Sequence, residues 1–264
     1  MYRLLVVVSV LCFASALLVP IEDRIVDGKN ADIISHPHQI SLQRNERHFC
    51  GGSIIAEKYV ITASHCTVKI IANNEQSICR VRAGSSFWNQ GGITKSIKSI
   101  INHPKYEPKS MVYDVAILEL YSGFIWSASI KPIKLCSTLL EDDTLTEVTG
   151  WGRLAEDNKN LPEQLQEATV KFMNAVTCSS PLYKYGDSIM SSMVCAYEPG
   201  QDSCQGDSGG PLSIFDDILK LVGIVSWGRG CAEQGHPGVY CDVSDPEVRS
   251  FIYDNCPSVK YVEC

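Results

Sequence analysis

At 264 residues the chain is longer than a typical single domain, so one large domain or two smaller halves are expected. A formal net charge of −7, with no dense basic run, argues against nucleic acid and anionic membrane as partners. No CxxC pair, histidine-rich tract or HExxH segment occurs, so neither a metal site nor a cofactor is expected.

The N-terminus reads as a secretory signal spanning residues 1–16. Arg3 supplies the charged region, Leu4 to Phe13 the apolar stretch, and Ala14-Ser15-Ala16 a small-residue cleavage site. The apolar stretch ends at Val19, short of the ~20 residues a spanning helix needs. A secreted, extracellular protein in an oxidising compartment follows. Removing Cys12 with the signal leaves eleven of twelve cysteines, an odd number, so at least one is free or pairs outside the chain. Leu17 to Arg24 forms a short linker before Ile25-Val26-Asp27-Gly28. A basic residue before an apolar dipeptide suits trimming that exposes a new amino group on Ile25; the alternative is an unprocessed loop.

From His38 to about Trp227 short β-like runs alternate with turn residues: 39–43, 50–55, 59–62, 115–120, 145–149, 168–172 and 221–226. Many short strands without intervening helical periods predict an all-β barrel or sandwich. The segment 123–135 is loop-like and near the midpoint, a candidate crossover between two β halves. One helix is expected near the C-terminus, where Ser244-Asp245-Pro246-Glu247 offers a capping box and Val248, Phe251 and Ile252 an apolar stripe. No Asn-x-Ser/Thr sequon occurs, so N-glycosylation is not expected.

Three stretches carry chemistry. Thr62-Ala63-Ser64-His65-Cys66 follows a β run and offers a histidine, the side chain best suited to accept and return a proton near neutral pH. The other five histidines, His36, His38, His48, His103 and His236, read as surface or turn residues. Tyr113-Asp114-Val115 carries an aspartate into the head of an apolar strand, where an unpartnered carboxylate is costly and a histidine N–H would serve it. In Asp202-Ser203-Cys204-Gln205-Gly206-Asp207-Ser208-Gly209-Gly210-Pro211, the glycines permit a tight turn that exposes the Ser208 hydroxyl. The N–H groups of Gly206 and Ser208 can point to one spot, as an oxyanion requires. The bland alternative is a Gly/Ser-rich surface loop.

Together, His65 in TASHC, Asp114 in YDVAIL, Ser208 in GDSGGP, Ile25 in RIVDG and the SWG run at Ser226 resemble the trypsin/chymotrypsin family, over essentially all of residues 25–255. The resemblance implies two antiparallel β-barrels with the active site in the cleft between them and a C-terminal helix, the first barrel about 25–133 and the second about 134–264. It implies a catalytic triad of His65, Asp114 and Ser208, an oxyanion hole at Gly206 and Ser208, and peptide-bond hydrolysis through an acyl-enzyme. Asp202 falls where the trypsin branch places the carboxylate of its specificity pocket. Ser203, Ser226, Trp227, Gly228 and Gly238 fall on the surrounding substrate-binding positions. Protein or peptide substrates with Arg or Lys before the scissile bond are therefore expected. Cleavage at Arg24–Ile25 would free an amino group to pair with Asp207, making the chain a zymogen that could activate itself. Protein protease inhibitors are expected partners, and the expected state is a monomer.

The resemblance also implies three disulfides: Cys50–Cys66, Cys178–Cys195 and Cys204–Cys231. Cys79, Cys136, Cys241, Cys256 and Cys264 match none of its pairings; Cys136–Cys256 is the favoured extra bridge, with Cys264 free or intermolecular. Ser64 and Asp27 are small departures from the commoner alanine and glycine. The stretch 83–92, where the family's calcium loop would fall, has no acidic residue, so calcium dependence is not expected. Pro237 resembles the members that lack sodium activation. For biological role, the short propeptide points to a digestive or exocrine product. The alternatives are a limited-proteolysis factor of venom, saliva or a cascade, and a non-catalytic homologue acting as a binding module.

Overall fold

The structure, a computed structural model, describes residues 28–231 and 233–264. The signal peptide, the linker, Arg24 and Ile25 lie outside the described residues. Two closed six-strand antiparallel barrels make up the molecule. The first consists of β2 (Gln39–Arg44), β3 (Arg47–Ala56), β4 (Tyr59–Thr62), β5 (Cys79–Ala83), β6 (Ile93–Asn102) and β7 (Ala116–Leu120), closed in the order β2-β3-β4-β7-β6-β5. The second consists of β9 (Leu145–Gly150), β10 (Gln166–Met173), β11 (Met193–Tyr197), β12 (Pro211–Phe215), β13 (Leu219–Trp227) and β14 (Gly238–Asp242). It closes because β12 pairs with both β9 and β13. Two further strands, β8 (Lys134–Cys136) and β15 (Tyr261–Val262), lie outside this ring: β8 runs parallel to β13, and β15 parallel to β8. At the other end, β1 (Lys29–Asn30) pairs with β10, so the start of the described chain lies on the second barrel.

Alternation writes the barrel walls. Along β10, Ala168, Val170 and Phe172 are buried while Thr169 and Lys171 face water, the period of a half-buried strand. In the first barrel Ile40, Leu42, Ile54, Val60, Ile61, Val81, Ile117, Leu118 and Leu120 are completely or almost completely buried. They join residues of the second barrel, including Val148, Phe172, Leu212, Leu221 and Tyr240, in one continuous apolar cluster.

Helices are few. The C-terminal helix, Pro246–Asn255, buries Val248, Phe251 and Ile252 as its apolar stripe predicts. Its cap is Asp245 rather than Ser244: the Asp245 carboxylate accepts the N–H groups of Glu247 (2.9 Å) and Val248 (3.1 Å). Ser244 is instead bound through both its N–H and its hydroxyl to Asp242. Two helices were not foreseen, the four-residue Ala175–Cys178 and Ser64–Ala72, whose second residue is His65. The longer one carries Thr67, Val68, Ile70 and Ile71, β-branched residues of modest helix propensity. Burial of Cys66, Thr67 and Ile70 and the Cys50–Cys66 bridge hold it. No helix among the described residues is long and apolar enough to cross a membrane.

Four disulfides form. Cys50–Cys66, Cys178–Cys195 and Cys204–Cys231 match expectation. The fourth joins Cys136 to Cys264, correcting the expected Cys136–Cys256 bridge and the expected free Cys264. The cause is the strand pairing: Val262 sits in register with Cys136, and the Cys264 N–H donates to Thr138 Oγ1 at 3.1 Å, which lays the last residues beside β8. Cys256 ends the C-terminal helix, its N–H bonded to Ile252 O, and is free and buried, as are Cys79 and Cys241.

Candidate active site

Two elements of the first barrel bring His65 and Asp114 together. The Ser64 hydroxyl donates to Val115 O at 2.7 Å and stitches the His65 helix to the start of β7. Asp114, two residues before β7, has a fully buried side chain. Burying a carboxylate is expensive unless its oxygens are satisfied, and here they are. Oδ1 accepts the His65 backbone N–H at 2.9 Å, and Oδ2 accepts from His65 Nδ1 at 2.7 Å and from the Ser226 hydroxyl at 2.6 Å. An ionised carboxylate only accepts, so the proton sits on Nδ1 and the Nε2 lone pair of neutral His65 is left to take a proton. The imidazole is partly open to solvent, at 23% exposure.

Ser208 comes from the second barrel, in the turn that leads into β12. Its carbonyl oxygen accepts the Gly51 N–H at 2.8 Å, and the next residue's N–H donates to Val225 O at 2.8 Å, which ties the turn to both barrels. Gly206 (φ 107°) and Gly209 (φ 78°) lie in the left-handed region. At Gly209 a Cβ would stand 2.1 Å from Thr62 Oγ1, so no larger residue fits. Cys66 Sγ lies 3.7 Å from His65 Nε2 and 3.6 Å from Ser208 O, bringing the histidine and serine segments to one place. The half-buried Ser208 hydroxyl makes no hydrogen bond among the described residues. The N–H groups of Gly206 and Ser208 likewise donate to no group among the described residues.

Behind this turn lies Asp207, completely buried. Its carboxylate accepts the N–H groups of Gly152 (2.7 Å) and Cys204 (2.9 Å). Burial outweighs these bonds and pushes its pKa up to about 6. Glycine is obligatory around it: a Cβ on Gly150 or Gly152 would come within 2.2 Å of a carboxylate oxygen.

Beside Ser208 a cavity of about 200 Å³ is lined by Ser203, Gln205, Val225, Ser226, Trp227 and Gly228, among others. Asp202 is buried next to it, with Oδ1 accepting the Ser203 N–H at 2.7 Å. Gly238 packs against Asp202, where a Cβ would approach Oδ1 to 2.7 Å, while a Cβ on Gly228 would meet almost nothing. The Cys204–Cys231 bridge joins the two sides of this cavity. Trp227 is shared with a neighbouring cleft of about 470 Å³, lined by Lys109, Met111, Asp187 and Met190.

The family model Trypsin matches residues 25–252. The chain belongs to the trypsin family. Relatives agree over nearly the whole length. Hypodermin-B of Hypoderma lineatum is 42% identical over 259 residues, covering 96% of this chain and 98% of its own. Trypsin beta of Drosophila erecta is 42% identical and trypsin delta of Drosophila melanogaster 43%, each over 239 residues, 90% of this chain and 91% of theirs. The molecule is thus a trypsin-family serine protease.

For this trypsin-family protein the histidines need correction. His36, His38, His48, His103 and His236 are not surface residues but at least 95% buried. His48 bears on the site. Its Nε2–H donates to Gly206 O at 2.9 Å and its Nδ1 accepts from the Ser41 hydroxyl at 2.8 Å, which fixes the Gly206–Asp207 peptide, the one that follows the candidate donor N–H of Gly206. Burial lowers its pKa to about 4, so the ring is neutral at physiological pH. A signal for it existed: His48 shares its face of β3 with Cys50, two residues on. Two side-chain groups have metal-ligand spacing among the described residues. In Cys50–His65–Cys66 both sulfurs are tied up in a disulfide. In His36–Glu147–Glu167, His36 Nε2 and Lys29 already occupy the two oxygens of Glu167, at 2.6 and 2.8 Å.

Proposed function

We propose that this trypsin-family protease is a secreted endopeptidase that cleaves after Arg or Lys, with Ser208 as nucleophile. The observation that carries the chemistry is the buried Asp114 carboxylate bonded to His65 Nδ1. It leaves Nε2 as the proton acceptor on the side where Cys66 brings the Ser208 segment close. In the reaction Ser208 Oγ attacks the scissile carbonyl carbon as its proton passes to His65 Nε2. The carbonyl oxygen gains negative charge and is received by the N–H groups of Gly206 and Ser208. The C–N bond then breaks as the imidazolium gives its proton to the departing amine, and water repeats the sequence on the acyl-enzyme. Asp114 holds the ring's orientation and faces the transient cation throughout.

Specificity rests on Asp202. A buried carboxylate at the side of a small cavity with glycine at Gly228 and Gly238 suits a long cationic side chain, through charge pairing and hydrogen bonds. Ser203 adds a hydroxyl at the same place. Activation rests on Asp207: a fully buried carboxylate with only backbone N–H partners among the described residues calls for a cation. Cleavage at Arg24–Ile25 supplies it as the Ile25 amino group, which orders the turn. Export is supported by the apolar N-terminal stretch and four disulfides. A digestive or exocrine role accords with that.

A positional-scanning peptide library hydrolysed by the activated protein tests the reading. Arg and Lys should dominate at the residue before the cut, and a fluorophosphonate should label Ser208. Faster cleavage after Phe or Leu would remove the specificity assignment. Absence of labelling would remove the enzyme mechanism.

A further inference from the structure

The chain reaches Asp114 through a stretch of uncommon backbone. Met111 (φ 58°) and Tyr113 (φ 55°) both occupy the left-handed region, where a bulky side chain is an outlier that its surroundings must enforce. Two groups enforce it at Tyr113. The Tyr113 N–H donates to Ser192 Oγ at 3.2 Å. Ser192 is fully buried, and its carbonyl oxygen accepts the Asp242 N–H at 2.9 Å, so it cannot follow Tyr113 if the loop shifts. The Tyr113 ring lies flat on buried His103, with centroids 4.7 Å apart and planes 15° apart. His103 is braced in turn by Phe251 at 4.8 Å and by the Lys105 N–H on its Nδ1. Ser192 immediately precedes β11 of the second barrel, and His103 immediately follows β6 of the first. Beyond the clamp, the Val115 N–H returns to Tyr113 O at 2.8 Å and closes a three-residue turn with Asp114 at its apex.

We propose that Ser192 is a positioning residue: by accepting the Tyr113 N–H it keeps Tyr113 left-handed and so aims the Asp114 carboxylate at His65. The proposal rests on the reading of His65, Asp114 and Ser208 as the triad. Without Ser192 the tyrosine backbone relaxes towards negative φ, the preferred region for its side chain, and the turn rotates Asp114 away from the imidazole. Displacing a catalytic group by about 1 Å can cost up to about a hundredfold in rate, so a small rotation is enough to register.

The test uses the activated full-length protein, a small Arg-anilide substrate and covalent titration to count competent sites. Ser192→Ala should lower kcat on the order of tenfold, with KM changed by no more than about twofold. Adding Tyr113→Asn, which tolerates positive φ, should restore most of the loss, whereas adding the β-branched Tyr113→Val should deepen it. If Ser192→Ala fails to fold, the single variants decide: Tyr113→Val should lose kcat well beyond Tyr113→Asn. The proposal is overturned if Ser192→Ala keeps kcat within about twofold of the parent, or if Asn and Val at position 113 behave alike. Ser208→Ala is run alongside. If it retains hydrolysis the triad reading itself falls. If it abolishes hydrolysis while Ser192→Ala is silent, only the positioning role falls.

Discussion

Ser226, the penultimate residue of β13, donates its hydroxyl proton to Asp114 Oδ2 at 2.6 Å, the same oxygen that faces His65 Nδ1. One carboxylate oxygen thus gathers a group from each barrel. Ser226→Ala would leave a buried charge short of one hydrogen bond, a loss of about 1.5–3 kcal/mol. Guanidinium unfolding should show a lower midpoint with an unchanged slope.

Asp202 is expected to set the substrate class. Asp202→Ser should lower kcat/KM for an Arg-anilide on the order of 10⁴-fold, because the cationic side chain then enters a site without its counter-charge. Hydrolysis of an activated ester without a cationic side chain should change far less. Parallel losses on both substrates would mean that the substitution had damaged the fold.

Asp207 gives a pH dependence of definite sign. In the uncleaved protein its pKa is raised from 3.8 to about 6 by burial. Its contribution is therefore most favourable below pH 3.8, where the group is protonated in both states, and is lost as pH rises through about 6. The difference corresponds to roughly 3 kcal/mol. Relative to Asp207→Asn, an uncleaved Ser208→Ala precursor should lose stability between pH 4 and 7. Under the proposed activation, in which the new Ile25 amine pairs with the carboxylate, trimming at Arg24 should remove that loss. Calorimetry on the two precursors, before and after trimming, checks the sign.

His48 and His38 act in the opposite direction. Burial lowers the first to about 4 and the second to about 3, from 6.5. Each group's contribution is present above pH 6.5 and is lost as pH falls towards the folded value, because the unfolded chain takes up the proton first. Substituting His48→Gln should flatten the acid limb of the stability curve. It should also lower kcat on the order of tenfold, because the Gly206 carbonyl then loses its anchor and the Gly206 backbone, N–H included, is held less firmly.

Thiol titration tests the fourth bridge. Denatured and trimmed, the protein should show the three thiols of Cys79, Cys241 and Cys256. Cys264→Ser should expose Cys136 as an additional thiol and cost about 2–4 kcal/mol of stability. A thiol count unchanged or lowered by Cys264→Ser would contradict the Cys136–Cys264 pairing.

Much of the barrel architecture was legible because strands such as β4 and β10 bury consecutive or alternate apolar residues between clear turns. Strand β6 was not, since Ile93-Thr94-Lys95-Ser96 is largely exposed and carries no apolar period. The His65 helix hid for the converse reason: its residues prefer strands, and a disulfide and tertiary burial overrule them. At the site, the meeting of Asp114 with His65 followed from the cost of an unpartnered carboxylate. Ser192 and His48 could not be inferred that way, because each acts on a backbone group of a residue distant in sequence. Cys264 was misread for a similar reason, as nothing in the sequence marks Tyr261–Val262 as a strand returning to β8.

The Cys136–Cys264 bridge spans 128 residues and makes a macrocycle of the chain's entire later half. A protease lives among copies of itself, and under the proposed Arg/Lys preference a lysine on an exposed loop is where a stray cut would fall. Within that ring a single nick separates nothing, because the two new ends remain on one covalent loop, held by the pairing of the described strands β8 to β15. A nicked molecule can therefore keep its active shape, and autolysis has to strike the ring twice before a piece departs.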